Sequence, residues 1–531
     1  MFAVALALLV DFAVLARGAH DLWAATVVYI AFLGLGTAVC VKSAWSDASR
    51  GVPAEFAVPL IGVAAAMAVS FGHAVNPSES FLGLMDWLTA LAAFWIALSV
   101  FRSERAVATF LAGVVPVFWA ETLLHAYQRA TIAVSVLEPS GARHDAPQAL
   151  TFLVTQSWGT MVNANLAAAF TIAWIPVLAD RALRKRRSDD LPRMYWISGA
   201  AAAGLCFAFT CSAWGWICLL LGLSLLLTDE RARNWLEPRR RAIGALAAAA
   251  LAGGAALVWW KLFHKRDWAG NAHRAGENFS RVLWWASGWK MFRANPLWGV
   301  GIGNYGSAYL AYKVGHGQNS LFAHSLPVSL AAETGLLGCA ALSFLFARWL
   351  RNVARDWDEI RDRRPFLAGL AMLLAFSAIS LSMEYLANLL ACALFLGIAA
   401  APTVRTFWKP RRSAAVVLGA ASLAACAYLL APFLAGRNCV GAEELLKLGR
   451  AQDAIEGFSS AAAIDPLSSA AQRGWARALH ARSLSARDPR DLEQAVVHMR
   501  RAAELDRLNA ALAAELADYR REEETTSSRR R

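Results

Sequence analysis

Long apolar blocks alternate with short charged loops over the first 435 residues of the chain. A spanning helix needs roughly 20 mostly apolar residues. Thirteen blocks approach that length: 1–16, 22–41, 55–71, 81–101, 106–124, 160–180, 194–211, 212–228, 242–260, 324–347, 366–383, 384–402 and 413–434. The pattern predicts an all-α, polytopic transmembrane helical bundle of about 12–13 spans over residues 1–435. The runs 194–228 and 366–402 each fit either a tight helical hairpin or one long broken helix. Residues 1–16 lack a basic leading region and a small-residue cleavage site, so they read as a retained first helix.

After residue 441 the pattern turns polar, Ala-rich and helical in period. Ala454, Phe458, Ala461 and Pro466 stand at the spacing of the second helix of a tetratricopeptide repeat. Ala495, Met499 and Ala502 repeat the first three of these positions 41 residues later, with Asp506 following. A generic amphipathic bundle is the alternative. Residues 441–520 are predicted to form a tetratricopeptide-like helical domain, and the tail 521–531 (REEETTSSRRR) reads as disordered.

Charge orients the bundle. Segments 181–193, 229–241, 348–364 and 405–412 are strongly basic. Cytoplasmic loops carry the excess of Lys and Arg, and two crossings separate each successive pair of these segments. The N-terminus is thereby expected in the cytoplasm. Residues 125–159, 261–323 and everything after 435 are expected outside, giving a bacterial inner (cytoplasmic) membrane protein with a periplasmic C-terminal domain.

Composition agrees with a bilayer solvent: 57% of the residues are hydrophobic, 17% are charged, and there are 22 Trp. The net charge of +13 lies mostly in loops, so topology accounts for it without nucleic acid. Seven of the eight Cys lie inside apolar blocks and no CxxC pair occurs, which excludes a disulfide framework and a thiolate metal site.

The chemistry concentrates in 261–323, the large external loop. It holds Lys261, Lys265, Arg266, Arg274, Arg281, Lys290, Arg293 and Lys313 against Asp267 and Glu277. A cationic loop on the outer side suits an anionic ligand such as a lipid-linked diphosphate, or equally the anionic headgroups of membrane lipids. In 279–293, Trp285, Trp289 and Phe292 share one helical face, as in a helix lying in the interface plane. The run Asn295–Leu310 (NPLWGVGIGNYGSAYL) contains GxGxG, but no preceding strand is readable, so a nucleotide loop is discounted. His324 opens the next span.

Taken together, Arg281, then Asn295-Pro296-Leu297 with Gly299, Gly301, Gly303 and Asn304, then His324, then Glu333-x-Gly335-Leu336-x-Gly338, resemble the O-antigen ligase / O-antigen polymerase (Wzy C-terminal domain) superfamily. Gly159-Thr160-Met161-Val162-Asn163-Ala164-Asn165 is similar to that family's Gly-x-Phe-x-Asn-Pro-Asn stretch. The resemblance covers roughly 150–400. It implies a GT-C-like membrane glycosyltransferase, inverting, needing no metal and no other cofactor. The implied donor is an undecaprenyl-diphosphate-linked saccharide, and the acceptor a lipid A-core, another glycan or a protein hydroxyl. On this reading Arg281 and His324 are catalytic, as stabiliser of the leaving diphosphate and as base or acceptor positioner. Lys290, Arg293, Gly301, Gly303, Asn304 and Asn165 are substrate-binding, and Glu333 is structural, pairing with a loop.

The chain departs from the family at Ala213, where an arginine is expected, and at Thr155-Gln156-Ser157-Trp158, which lack the usual preceding arginine. Arg143 or Arg274 could substitute. Polymerase is favoured over ligase for a surface polysaccharide of the O-antigen or exopolysaccharide kind. A transporter for lipid-linked saccharides and a non-catalytic scaffold recruiting a protein partner through 441–520 are the rival readings.

Overall fold

In a bilayer every backbone N–H and C=O must be satisfied within the protein, and apolar blocks of this kind meet that demand as helices. The computed structural model describes residues 1–46, 51–135, 156–184, 191–226, 237–239, 268–316, 318–486 and 488–528. The predicted span 242–260, together with Arg143, Lys261, Lys265, Arg266 and Asp267, lies outside them, as do the side chains of Arg274 and Glu277. The structure is an all-α polytopic bundle.

Its helices are α1 (Phe2–Leu15), α2 (Leu22–Trp45), α3 (Ala57–Gly72), α4 (Pro77–Val100), α5 (Glu104–Ser135), α6 (Ala164–Leu183), α7 (Arg193–Thr210) and α8 (Ala213–Leu226). There follow α9 (Trp268–Ala294), α10 (Tyr305–Tyr312), α11 (Leu326–Arg355), α12 (Arg364–Ser377), α13 (Leu386–Ala400) and α14 (Arg412–Lys447). The chain closes with α15 (Ala451–Ile464), α16 (Ser469–Ala486), α17 (Pro489–Leu505) and α18 (Ala510–Ser528). A two-residue antiparallel pairing, Val52 with Trp408 and Pro53 with Phe407, is the exception to helix.

Among the described residues, seven helices are long and apolar enough to cross a membrane: α2, α4, α5 to Thr131, α6, α11, α13 extended to Thr403, and α14. Helices α1 and α3 are apolar but shorter. The two doubtful runs are broken. Cys211 adopts a left-handed turn between α7 and α8, and Phe207 packs on Trp216 across it, so the chain changes direction there. The second run breaks between Ser377 and Leu386. At about 1.5 Å per residue, the fourteen residues of α8 or α12 span less than a bilayer core. Short helices of this kind are one reason why the described residues hold fewer full-length spans than the apolar blocks predict.

The bundle has two distinct ends. At one, Glu104 at the start of α5 receives Arg181 at 2.9 Å, Arg184 at 3.1 Å and Arg363 at 2.9 Å, tying the end of α6 and the start of α12 to it. Glu55 accepts from Asn352 at 2.8 Å and from the backbone of Arg405 at 3.0 Å, closing the same end. The opposite end gathers residues 73–76, 157–165, 209–213 and 295–325.

Helix α14 runs unbroken through 435–441, where composition suggested a boundary, because its Ala- and Leu-rich sequence has no reason to stop there. In the helices beyond it Ala454, Phe458, Ala461, Ala495, Met499 and Ala502 are all buried. The tail is not as expected: α18 reaches Ser528, so 521–528 are helical. Glu522 accepts from His480 at 2.8 Å and anchors it.

Candidate functional site

The site is built around a break in a helix. Helix α11 is kinked at Gly335, whose backbone (φ 60°, ψ −158°) is open in practice only to glycine. An unbroken helix would bond Leu336 N–H to Ala332 and Leu337 N–H to Glu333. Here those four groups are released, and the loop 295–301 takes all of them. Leu336 donates to the Pro296 carbonyl at 2.8 Å and Leu337 to that of Leu297 at 3.1 Å. Val300 donates to the Ala332 carbonyl at 3.0 Å and Gly301 to that of Glu333 at 3.1 Å. The two motifs, Pro-Leu-x-Gly-x-Gly-x-Gly and Glu-x-Gly-Leu-x-Gly, are thus the two halves of one clasp.

Close approach explains the glycines at its centre. A Cβ on Gly299 would fall 2.2 Å from the backbone of Glu333, and one on Gly335 would fall 2.5 Å from the carbonyl carbon of Leu297. The Glu333 carboxylate completes the clasp: Oε2 accepts from Gly303 N–H and Oε1 from Tyr305 N–H, both at 3.0 Å. A carboxylate at the first turn of α10 also opposes that helix's dipole. Asn304 is buried, and its amide is used on both sides by Asn76, accepting from the Asn76 N–H at 2.8 Å and donating to its carbonyl at 3.0 Å. Gly301, Gly303 and Asn304, read as substrate-binding, are therefore placed inside the clasp.

Arg281 and His324 lie together beside it. The His324 ring stacks on Trp284 with centroids 4.5 Å apart and planes 24° from parallel. Trp284 is held in place, its indole N–H donating to the Gln318 carbonyl at 2.9 Å and its own carbonyl accepting from the Tyr305 hydroxyl at 2.7 Å. Arg281 stands one turn earlier on α9. Burial, reinforced by the Arg281 charge, pushes His324 down to about 4, so the imidazole is neutral at physiological pH. Its Nδ1 is buried with no hydrogen-bond partner among the described residues. Its backbone is left-handed, at φ 54°. A non-glycine residue held there, with an unspent nitrogen, marks His324 as a candidate for chemistry.

Lys290 and Arg293 are exposed on α9. Lys290 follows Arg281 by nine residues, hence about 13 Å along the helix and on its opposite side. Arg293 is further still, so neither joins the Arg281–His324 pair.

Asn165 belongs to a second polar cluster. It follows the N-cap of α6, where Asn163 accepts its N–H at 2.7 Å, and its own side chain accepts from the Ser212 hydroxyl at 2.9 Å. Nearby, His125 Nδ1 lies 2.8 Å from the Ser157 hydroxyl. Glu121 takes the Thr160 N–H at 3.0 Å. Arg129 is buried, with a guanidinium N–H 3.2 Å from the Cys211 sulfur and its face 4.9 Å from the Phe209 ring. The sequence reading missed Glu121, His125 and Arg129, although their four-residue spacing in an apolar helix is a visible signal. It also missed Glu384, which accepts from Ser329 at 2.7 Å, while Asn388 donates to the Leu166 carbonyl at 3.3 Å. Residues 384–388 thus bond both α11 and α6.

Residues 198–343 match the family model described as O-antigen ligase, a stretch that includes Arg281, His324 and the whole clasp. No curated protein and no solved structure matches the chain. The described helices make the chain a multi-pass membrane protein, and the match of 198–343 to the O-antigen ligase family supports a membrane enzyme of O-antigen or polysaccharide assembly.

Proposed function

We propose that the protein is a metal-independent, inverting glycosyltransferase that polymerises, or transfers to an acceptor, a glycan carried on undecaprenyl diphosphate at the outer face of the bacterial inner membrane. The observation that carries this reading is the buried, unpartnered Nδ1 of His324 beside Arg281. In the reaction the acceptor hydroxyl oxygen forms a bond to the sugar C1. The bond from C1 to the diphosphate oxygen breaks, and its electron pair leaves with the diphosphate. The hydroxyl proton moves to Nδ1 of His324, which is neutral and able to take it. Arg281 stabilises the charge on the departing diphosphate, the role a metal ion fills elsewhere.

Asn165 and Arg129 are assigned to binding at the second cluster. Arg129 brings a guanidinium beside the α7–α8 turn, where the resemblance expects an arginine at position 213. Lys290 and Arg293, exposed on the far side of α9, are assigned to membrane lipid headgroups. Polymer growth is favoured over transfer to lipid A-core or protein, and residues 441–520 are assigned to a protein partner in the envelope.

The test uses the purified protein and a lipid-linked donor. Arg281→Ala and His324→Ala are each expected to abolish product while leaving membrane insertion intact. Movement of intact donor across vesicles without any new glycosidic bond would identify a transporter instead. Pull-down of envelope proteins with and without 441–531 tests the partner assignment, which fails if the two captures are the same.

A further inference from the structure

The clasp has an outer wall that comes from the far C-terminal part of the chain. Residues 74–76 lie against the clasp on one side, with Val75 N–H donating to the Val300 carbonyl at 3.1 Å and Asn304 holding Asn76. On their other side stands the turn between α17 and α18. Arg507 N–H donates to the Val75 carbonyl at 3.2 Å, and its guanidinium donates to the carbonyl of Ala74. Leu508 packs against the apolar cluster of Trp284, Val300, Tyr305 and Tyr309, the same Trp284 on which His324 stacks.

The turn is itself stiff. Asn509 bonds Asp506 through both its backbone, at 3.1 Å, and its side chain, at 2.8 Å. A second anchor fixes its distance from the bundle, because α14 runs without a break from the membrane helices into the C-terminal ones. Tyr428 of α14 meets Phe81 of α4 edge-on at 5.3 Å.

We infer that Arg507 is a positioning residue for the Arg281–His324 site, acting through residues 74–76 on the clasp and, with Leu508, on the Trp284 side chain. The C-terminal helices are then a built part of the site and not only an appendage for partners. The catalytic half of this inference rests on the transferase reading; the mechanical half does not.

The experiment is hydrogen exchange by mass spectrometry on the full-length protein in detergent, paired with turnover of a lipid-linked donor. Arg507→Ala is expected to speed exchange at 73–76 and 299–305. It should also lower kcat about tenfold, as loss of a charge-assisted hydrogen bond implies, with donor KM unchanged. Arg507→Lys, which keeps one donor, should fall between, and covers the case where the alanine variant fails to assemble. Arg501→Ala, which breaks only the exposed Arg501–Glu504 pair on the same helices, should match the parent in both readouts. Unchanged exchange at 299–305 in both Arg507 variants overturns the inference, whatever the activity. Faster exchange there with an inactive parent protein keeps the mechanical coupling and removes the transferase reading.

Discussion

Two neighbouring parts of this molecule use their polar atoms in opposite ways. In the clasp of 295–305 with 332–337, each group released by the kink finds a partner, and the Glu333 carboxylate and the Asn304 amide are both spent on backbone. A few residues away, His324 keeps a buried nitrogen unpaired in a left-handed backbone, beside Arg281. The difference separates motif residues that make the fold from those that are available for chemistry. Motif membership alone does not distinguish them.

The sharpest way to break the comparison is at Gly335. Valine there must place a branched side chain against the Leu297 carbonyl in a backbone region closed to it, costing about 3 kcal/mol or more. Gly335→Val is expected to yield little detergent-extractable monodisperse protein. A variant with the parent's melting temperature would show that the clasp is not rigid.

The next largest effect lies on the other side of the comparison. His324→Ala should lower turnover by roughly 10²–10⁴, the usual worth of a general base. Its melting temperature should stay near the parent's, since alanine keeps the left-handed backbone and removes a buried nitrogen that has no partner among the described residues. Loss of folding in step with loss of activity would put His324 in the same class as Gly335.

The pH profile sharpens the same point. A base must be neutral, and His324 is held at about 4 by burial and by the Arg281 charge. The rate of glycosyl transfer should therefore stay level from neutral pH down to about pH 5 and fall as pH drops through about 4. A fall centred near pH 6.5 would mean that His324 is neither buried from water nor close to Arg281 in the working enzyme. Titration of labelled histidines by NMR in Arg281→Ala should find the His324 midpoint higher than in the parent.

Much of the fold was legible along the chain because hydropathy is local. The apolar blocks at 22–41, 81–101 and 324–347 each correspond to a helix, lengthened at the ends where polar residues continue the helical period. The ends misled where propensity outruns composition, as in 435–441 inside α14 and 521–528 inside α18. In the site, the spacing around Arg281 and His324 was readable. What Glu333 and Asn304 bond to was not, because their partners depend on a kink that no local pattern announces, and in the case of Asn76 lie 228 positions away. Glu121, His125 and Arg129 were visible as a polar stripe in an apolar helix and went unread for want of a motif around them.

The smallest expected effect tests whether charge alone could explain the external loop. Lys290 lies on the opposite side of α9 from Arg281, and both it and Arg293 are exposed. If the loop bound its substrate merely as a cationic surface, Lys290→Ala with Arg293→Ala would weaken donor binding about as much as losing Arg281. If the chemistry sits where Arg281 meets His324, the double variant should leave kcat within about twofold of the parent, since exposed charges at this distance are screened by salt. It should lose only affinity for anionic vesicles, by about 1 kcal/mol for each cation. Comparing kcat with vesicle binding in the same preparation separates a lipid-facing charge from a reacting one. A kcat loss near that of Arg281→Ala would return the whole stretch to a single undivided cationic patch.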